Sequence, residues 1–311
     1  MIVSRSPKRL LSVADLQDKE IWQLLQDAAE IKRGKKKPSL QGQAIALLFE
    51  KPSLRTRVSF EVAMWQLGGY AIYLSPGEVG LGKRESISDV ARTLSRFVDG
   101  IVARTFAHQT VELLGRYGTV PVINGLSDYE HPCQALGDLL TILEKKGDLK
   151  GLRLAYVGDG NNVARSLLLA AAAAGMDFSI ASPAGYELDE PALRHARKLA
   201  AQSGAKITTM AEPRHAVENA DVVYTDVWTS MGQEAEAEIR RRAFASYQVD
   251  STLLSCAKKG ALFMHPLPAH HGEESAQGLL DHPQSVVFDQ AENRLHIQKA
   301  ILVRALGGEP V

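Results

Sequence analysis

Short apolar runs alternate with amphipathic stretches along most of this chain, and that alternation limits its fold more than any other feature of the sequence. A first series of runs lies between Leu40 and Asn124, and a second begins at Arg153. The runs are AIALLF, YAIYL, GIVAR and VPVIN in the first series, and RLAYV, FSIAS, ITTM, VVYT and ALFMH in the second. Strands that alternate with helices build parallel sheets covered by helices on both faces. We therefore predict an α/β fold with two domains, each a parallel sheet flanked by helices.

Helical patterns separate and end the two series. Residues 132–146 form one such pattern, closed by Gly147, and we interpret them as a linking helix. The first domain is thus predicted over residues 1–146 and the second over residues 147–311. A C-terminal helix over residues 291–306 is expected to pack back on the N-terminal domain. A chain of 311 residues is long enough for two domains that each bury a core.

Charge and cysteine content argue against several classes of function. The 36 basic and 36 acidic residues cancel, so bulk attraction to nucleic acid or to a membrane surface is not supported. Cys133 and Cys256 are too few for a disulfide framework, and neither has the spacing of a zinc site. The N-terminus lacks the pattern of a secretory signal, and the most apolar run, Leu167 to Ala174, is far too short to span a bilayer. We expect a cytoplasmic protein.

The five residues from Ser53 to Arg57 combine two hydroxyls with two guanidiniums where a predicted strand gives way to a helix. Backbone N–H groups and the positive end of the helix dipole favour an anion at such a helix start, and the planar fork of Arg55 matches phosphate oxygens. The pattern is typical of a phosphate site. An N-cap serine followed by solvated arginines would give the same residues, because so short a motif also matches by chance.

Polar residues follow most of the other predicted strands, at the sheet edge where ligands bind in such folds. They include Arg104, His131, Asp159, Asp226 and His265. His131 and Gln134 lie one turn apart at the start of the linking helix, where they offer a donor for a carbonyl oxygen and an acceptor for an amide N–H. Taken singly, His131 also fits a capping or core histidine, and Asp226 fits a strand-end turn.

The turn from Gly158 to Val163 follows a strand and begins a helix, as a dinucleotide-binding loop does. It fails two requirements of that motif. Val163 takes the place of the third glycine, and the next strand ends at Ser182 and Pro183 without an acid for a ribose. The glycines still allow a backbone or a ligand to approach closely, which leaves Asn162 to contact a ligand.

Together these motifs resemble those of the aspartate/ornithine carbamoyltransferase family. They are S-x-R-T-R at Ser53, H-P-x-Q at His131, G-D-G-N-N at Gly158, D-V-W-x-S-M-G-x-E at Asp226, and Glu292-Asn293-Arg294. Their order and rough spacing match over residues 10–306, most closely to the ornithine-specific members. The resemblance implies transfer of a carbamoyl group from carbamoyl phosphate to the δ-amine of L-ornithine, giving L-citrulline and phosphate in arginine metabolism. It also implies that carbamoyl phosphate binds first.

The resemblance implies a role for each motif residue. Carbamoyl phosphate would contact Ser53, Leu54, Arg55, Thr56, Arg104, His131, Gln134, Leu267 and Arg294, of which Arg55, Thr56, Arg104, His131 and Gln134 would be catalytic. Ornithine would contact Asn162, Asp226, Ser230, Met231, Pro266 and Leu267. Donors around the carbonyl oxygen would stabilise the negative charge that grows as the amine attacks. No metal or organic cofactor is implied, and the implied assembly is a homotrimer or a larger trimer-based oligomer.

Two positions depart from the ornithine-specific pattern. Residues 265–268 read His-Pro-Leu-Pro, as in aspartate-specific members, where ornithine-specific members usually have His-Cys-Leu-Pro. Gly80 stands near a position where glutamine is usual, and Lys83 or Arg84 could instead reach the phosphate site of a neighbouring subunit. A solvated basic loop before the capping box at Ser86 explains the same residues.

Other functions within and outside this chemistry also fit the sequence. Aspartate is disfavoured as the acceptor, because its extra carboxylate would meet Asp226 rather than a cationic pocket. Putrescine and an N-acylated ornithine remain alternative acceptors, since a few pocket residues decide between them. A non-catalytic phosphate-binding α/β protein would explain Ser53 to Arg57 but would leave Arg104, His131 and Gln134 without a purpose.

Overall fold

The structure, a computed structural model, describes residues 9–82 and 84–310, so the candidate Lys83 lies outside the described residues. The helices are α1 Asp18–Lys32, α2 Leu54–Gln66, α3 Pro76–Val79, α4 Ile87–Leu94, α5 His108–Tyr117, α6 Pro132–Lys146, α7 Asn162–Ala174, α8 Glu190–Ser203, α9 Pro213–Val217, α10 Ala237–Phe244, α11 Ser251–Ser255 and α12 Val287–Leu306. The strands are β1 Pro38–Ser39, β2 Ala44–Phe49, β3 Tyr70–Leu74, β4 Gly100–Arg104, β5 Val122–Leu126, β6 Arg153–Val157, β7 Asp177–Ala181, β8 Ile207–Met210, β9 Val222–Thr225, β10 Leu262–Met264 and β11 Glu309–Pro310.

Two compact units divide the chain. The first comprises Met1–Leu140 and Arg294–Val311, and the second comprises Thr141–Asn293. Helices α6 and α12 each begin in one unit and end in the other. The division of function between residues 1–146 and 147–311 stays a prediction.

The first unit contains a four-stranded parallel sheet in the order β3-β2-β4-β5. The chain passes from β2 to β3 on one side and then crosses to β4 on the other side of β2. Such a reversal creates a crevice outside the carboxyl ends of the two strands, which is where open α/β sheets bind ligands. The segments that leave these ends carry Ser53 and Arg104.

The second unit repeats this arrangement with five parallel strands in the order β10-β9-β6-β7-β8. The reversal lies between β6 and β9, so the turn from Gly158 and the loop from Asp226 leave the sheet side by side. Helix α7 is buried over all its residues after Asn162, which confirms the prediction of a buried helix at Leu167 to Ala174.

Each sheet owes its stability to apolar side chains on both faces. In β2 five of six residues are buried, and in β4 all five are buried, as expected for strands covered by helices.

From Arg294 onward α12 belongs to the first unit, where Arg304 Nη2 donates to Glu20 Oε1 at 2.5 Å. The predicted α/β fold, with two parallel sheets and a returning C-terminal helix, is confirmed. Within the described part of the chain, no helix has the length and apolar character needed to cross a membrane.

Candidate active site

The N-terminus of α2 places the S-x-R-T-R motif at the switch point of the first sheet. Ser53 is the N-cap residue, and its Oγ accepts a hydrogen bond from the Thr56 N–H at 3.2 Å. The first-turn N–H groups of a helix have no partner within the helix and attract anions. Thr56 is buried and its Oγ1 accepts from Nη2 of Arg294, in α12, at 2.6 Å. Leu54 is exposed and its side chain is apolar, so its contribution to an anion site is limited to its backbone.

Three arginines act electrostatically on one another in this unit. Arg104, at the carboxyl end of β4, is 6% exposed, and Arg294 is 3% exposed. Burial, followed by the nearby charges of Arg294 and Arg55, lowers the pKa of Arg104 to about 10. Nε of Arg104 is buried without a hydrogen-bond partner among the described residues. Burying several positive charges close together is unfavourable in the absence of a negative partner, so such a group is typical of a site that binds an anion.

His131 precedes α6, and its carbonyl accepts from the N–H groups of Gln134 and Ala135. Its ring is buried, and burial together with the charges of Arg294, Arg104 and Arg55 lowers the pKa of His131 well below its ordinary value. The imidazole is therefore neutral at pH 7 and can donate from one nitrogen to an oxygen of a ligand.

Gln134 lies one turn further along α6 and is 1% exposed. Its Nε2 donates to Asp138 Oδ1 at 2.8 Å. Asp138 is fully buried and was missed by the sequence analysis, although its spacing of four residues from Gln134 on a helix was a usable signal.

The second unit gathers its candidate residues around the carboxylate of Asp226, which is 6% exposed. Its Oδ2 accepts from Asn161 Nδ2 at 2.8 Å, and its Oδ1 accepts from the Val227 N–H at 2.8 Å. Burial raises the pKa of Asp226, while these two hydrogen bonds oppose that rise. Asn161 also caps α7 through its Oδ1, so it fixes Asp226 relative to that helix, a role that the sequence analysis did not assign. The predicted Asn162 is the half-buried first residue of α7.

The loop after Asp226 is held at its base and open at its tip. Arg240 Nη1 donates to Asp159 Oδ2 at 2.7 Å and to the Trp228 carbonyl at 2.9 Å. At the tip, the Ser230 N–H donates to Gln233 Oε1 at 3.0 Å, and the side chain of Met231 is exposed.

Residues 265–268 are fixed by a chain of hydrogen bonds that begins at buried Glu274. His265 Nε2 lies 3.0 Å from Glu274 Oε1, and His265 Nδ1 accepts from the Leu267 N–H at 2.9 Å. A neutral ring protonated on Nε2 satisfies both bonds. Leu267 has a φ of 56°, a left-handed conformation that costs a non-glycine residue about 1–2 kcal/mol. Pro266 is buried, so this segment presents the Leu267 backbone rather than a thiol.

Arg84 lies on an exposed turn of the first unit. Its side chain is exposed, and its N–H donates to the carbonyl of Gly80 at 2.8 Å, where Gly80 has a φ of 57°. The capping serine predicted at Ser86 is present, because its Oγ accepts from the Asp89 N–H at 3.1 Å.

The predicted residues divide into two groups, one in each unit. The first group consists of Ser53, Arg55, Thr56, Arg104, His131, Gln134 and Arg294, and the second of Asn162, Asp226, Ser230, Met231, Pro266 and Leu267. The first can hold an anion with a polarisable carbonyl, and the second offers a buried carboxylate to a cation.

Comparisons with known proteins match this chain to one family along nearly its whole length. Residues 8–144 match the carbamoyl-P binding domain model of aspartate/ornithine carbamoyltransferase, and residues 150–305 match its Asp/Orn binding domain model. A relative from Pyrococcus furiosus, named ornithine carbamoyltransferase, anabolic, is 53% identical over 99% of both chains. The ornithine carbamoyltransferase of Bacillus subtilis is 52% identical over 95% of this chain and 92% of that protein.

The chain is also similar to solved structures of ornithine carbamoyltransferases. The solved structure of ornithine carbamoyltransferase from Pyrococcus furiosus has a TM-score of 0.94 and 52% identity, covering 99% of this chain and 100% of that one. The anabolic ornithine carbamoyltransferase of Campylobacter jejuni has a TM-score of 0.92 and 38% identity, covering 96% and 98%. On its two matched domains and its relatives of more than 50% identity, this chain belongs to the aspartate/ornithine carbamoyltransferase family.

Proposed function

We propose that this protein is an ornithine carbamoyltransferase, which transfers the carbamoyl group of carbamoyl phosphate to the δ-amine of L-ornithine and releases L-citrulline and phosphate. The observation that carries the proposal is the group of three arginines, Arg55, Arg104 and Arg294, around a neutral His131. Carbamoyl phosphate is a dianion whose carbonyl carbon must become electrophilic. This group supplies both the positive charge and an uncharged donor that such a ligand needs.

The phosphate is proposed to bind at the N-terminus of α2. Ser53 Oγ accepts from the Thr56 N–H, so its own O–H can donate to a phosphate oxygen. Arg55 would add a two-pronged contact, and the backbone at Leu54 would add an N–H from the first turn.

The carbonyl oxygen is proposed to lie among Thr56, Arg104 and His131. Thr56 Oγ1 already accepts from Arg294, which leaves its hydroxyl proton to donate toward the ligand. Preorganised donors of this kind stabilise the charge that develops on oxygen, and loss of one typically lowers kcat by about 10²- to 10³-fold. Gln134 would orient the carbamoyl amide, and Arg294 would contact the same ligand.

The attacking amine must first lose a proton. With a Lys-like pKa of about 10.4, its neutral form costs about 4 kcal/mol near pH 7.5. In the proposed reaction the phosphate of carbamoyl phosphate takes this first proton, and a bond then forms between the neutral δ-nitrogen and the carbamoyl carbon. The bond from that carbon to the phosphate oxygen breaks, and the second proton that the nitrogen loses leaves with the phosphate. A titrating protein group revealed by pH and solvent-isotope studies of the productive complex would contradict this proton route.

Asp226 is the proposed partner of the α-ammonium of ornithine. Its carboxylate is buried and already accepts two hydrogen bonds, which favours a cation and repels the second carboxylate of aspartate. Asn162, at the start of α7, would bind the amino-acid end together with Ser230 and Met231, as the loop that carries those two residues closes. Pro266 and the Leu267 carbonyl would face the reacting groups, without the thiol that ornithine-specific members usually place there.

Assembly and location follow as parts of the same proposal. We infer a cytoplasmic homotrimer, or a larger trimer-based oligomer, that acts in arginine biosynthesis, with Lys83 or Arg84 reaching a neighbouring active site. The family resemblance supports the trimer, and two free cysteines fit a reducing compartment. Light scattering should give at least three times the 33.8 kDa mass of one chain.

A citrulline assay with four acceptors in parallel tests the proposed activity. Ornithine should give the highest kcat/KM among ornithine, putrescine, N-acetylornithine and aspartate. Arg55→Ala should abolish measurable turnover, a loss of at least about 10³-fold, because about 4 kcal/mol of charged contact is removed.

Arg57→Ala is the matched control from the same motif. Arg57 pairs with Glu61 at 3.0 Å and lies 3.8 Å from the centre of the Tyr73 ring, so its loss should change turnover less than tenfold. Near-normal activity of Arg55→Ala would remove the phosphate site, and calorimetric binding of carbamoyl phosphate without turnover on any amine would favour a non-catalytic binding protein.

A further inference from the structure

The hydrogen bond between Gln134 and Asp138 fixes which end of the Gln134 amide faces the active site. The two side chains lie one turn apart on α6, both are buried, and Gln134 Nε2 lies 2.8 Å from Asp138 Oδ1. An ionised carboxylate accepts hydrogen bonds and cannot donate one. The bond therefore requires the NH₂ group of Gln134 to point toward Asp138.

The opposite end of that amide is then an acceptor. Gln134 Oε1 is buried and has no hydrogen-bond partner among the residues that the structure describes. Buried acceptors are nearly always satisfied, so this oxygen is suited to a donor from a ligand. The carbamoyl NH₂ group is such a donor, whereas the methyl group of an acyl phosphate is not.

We propose that Asp138 is a positioning residue that selects carbamoyl over acyl ligands by locking the Gln134 amide. A reversed amide would turn its own NH₂ toward the ligand NH₂, and the two donors could not bond. The inference rests on the proposed function, because it assumes that Gln134 faces the carbamoyl group. In this proposal Asp138 acts through Gln134 rather than by contact with the substrate.

Two stable phosphonates that differ in one group provide the test. (Carbamoylmethyl)phosphonate carries NH₂ on its carbonyl carbon, and (2-oxopropyl)phosphonate carries CH₃ there, so the ratio of their Kd values isolates the amide contact. Calorimetry should show that the unmodified protein prefers the first ligand at least tenfold. Asp138→Ala should lower that preference to threefold or less, while the Kd of the ketone changes less than twofold.

A paired exchange of the two side chains keeps the test decisive if Asp138→Ala fails to fold. Gln134→Glu should bind the amide ligand at least tenfold more weakly, because it sets two carboxylates against each other. Adding Asp138→Asn should restore at least tenfold of that affinity, since the introduced amide can donate to one oxygen of the introduced carboxylate and leave the other oxygen for the ligand. Leu139→Ala is the matched control, a buried apolar change on the same helix that should leave the preference unchanged.

The outcomes separate this inference from the proposed function. If the protein makes citrulline and prefers the amide ligand, but Asp138→Ala keeps that preference or weakens both ligands equally, the positioning role is wrong. Failure of the double variant to improve on Gln134→Glu also overturns it. If the unmodified protein binds neither phosphonate and makes no citrulline, the proposed function fails and this inference fails with it.

Discussion

Replacing Arg240 tests how the second unit holds residues 226–232, the proposed ornithine-binding loop. The Arg240 side chain is 8% exposed and donates both to Asp159, at 2.7 Å, and to the Trp228 carbonyl, at 2.9 Å. Its guanidinium also lies 4.9 Å from the centre of the Tyr186 ring. One side chain therefore joins the turn after β6 to the loop after β9.

The expected loss of stability follows from the charge that Arg240→Ala leaves behind. Burial raises the pKa of Asp159, and Arg240 opposes that rise. Deleting one partner of a buried ion pair costs about 3–5 kcal/mol, and we expect about 3 kcal/mol because the Asp159 side chain is 12% exposed. Arg240→Met combined with Asp159→Asn should recover roughly 2 kcal/mol, since the unpaired charge is the costly element.

Urea unfolding and steady-state kinetics measure the two consequences. Arg242→Ala, on the same helix, is the control and should cost no more than about 0.5 kcal/mol, because that arginine is 79% exposed. Arg240→Ala should raise the KM for ornithine several-fold and leave the KM for carbamoyl phosphate unchanged. A loss below about 1 kcal/mol, or an equal rise in both KM values, would refute the reasoning.

Three further predictions concern single positions. The pKa of His131 is depressed in the folded state, so below the unfolded value of about 6.5 the unfolded chain takes up a proton that the folded chain excludes. The free energy of unfolding in urea should therefore fall between pH 7.5 and pH 5.5, and the fall should be about 1.4 kcal/mol smaller in His131→Gln than in the unmodified protein. Equal falls in the two proteins would contradict this prediction. Cys133 is fully buried, and burial raises the pKa of its thiol to about 12. In the native protein a disulfide reagent should therefore label only Cys256, and the labelled protein should keep its activity. After denaturation the reagent should label both thiols. A Cβ at Gly160 would lie 2.4 Å from backbone atoms of Glu187 and Leu188, so Gly160→Ala should lower the free energy of unfolding by more than about 2 kcal/mol. Gly77 lies in open space, so Gly77→Ala is the control and should change the free energy of unfolding by less than about 0.5 kcal/mol in the same assay.

The strands were predictable because their apolar runs are local signals. AIALLF, for example, is β2 with the predicted ends. The run at Val120 to Asn124 was placed two residues early, since β5 spans Val122–Leu126. Pro121 has no N–H to give to a ladder, and a register shift between Ala103 and Arg104 pairs Arg104 with Leu126. Both effects depend on pairing between strands, which periodicity within one strand does not contain.

The site was predictable to the extent that its residues follow strands or begin helices. Ser53 and His131 could be placed in this way, and the structure puts each at a helix start. The residues that hold these site residues in place could not be predicted in this way. Arg240 and Asp159 are 81 positions apart in sequence, and Glu274 reaches His265 only because a loop folds back. Such contacts are set by tertiary packing, so no local sequence pattern predicts them.

The two units use one backbone arrangement at the two proposed ligand sites. In each, a capped helix begins beside the switch point of a parallel sheet, with Ser53 capping α2 and Asn161 capping α7. The helix start favours an anion in both cases, so the fold alone would make two anion sites. The second becomes suited to a cation because Asn161 donates to the buried carboxylate of Asp226 and holds its negative charge in place. The fold therefore determines where ligands bind, while a few side chains determine the sign of the charge that each site accepts.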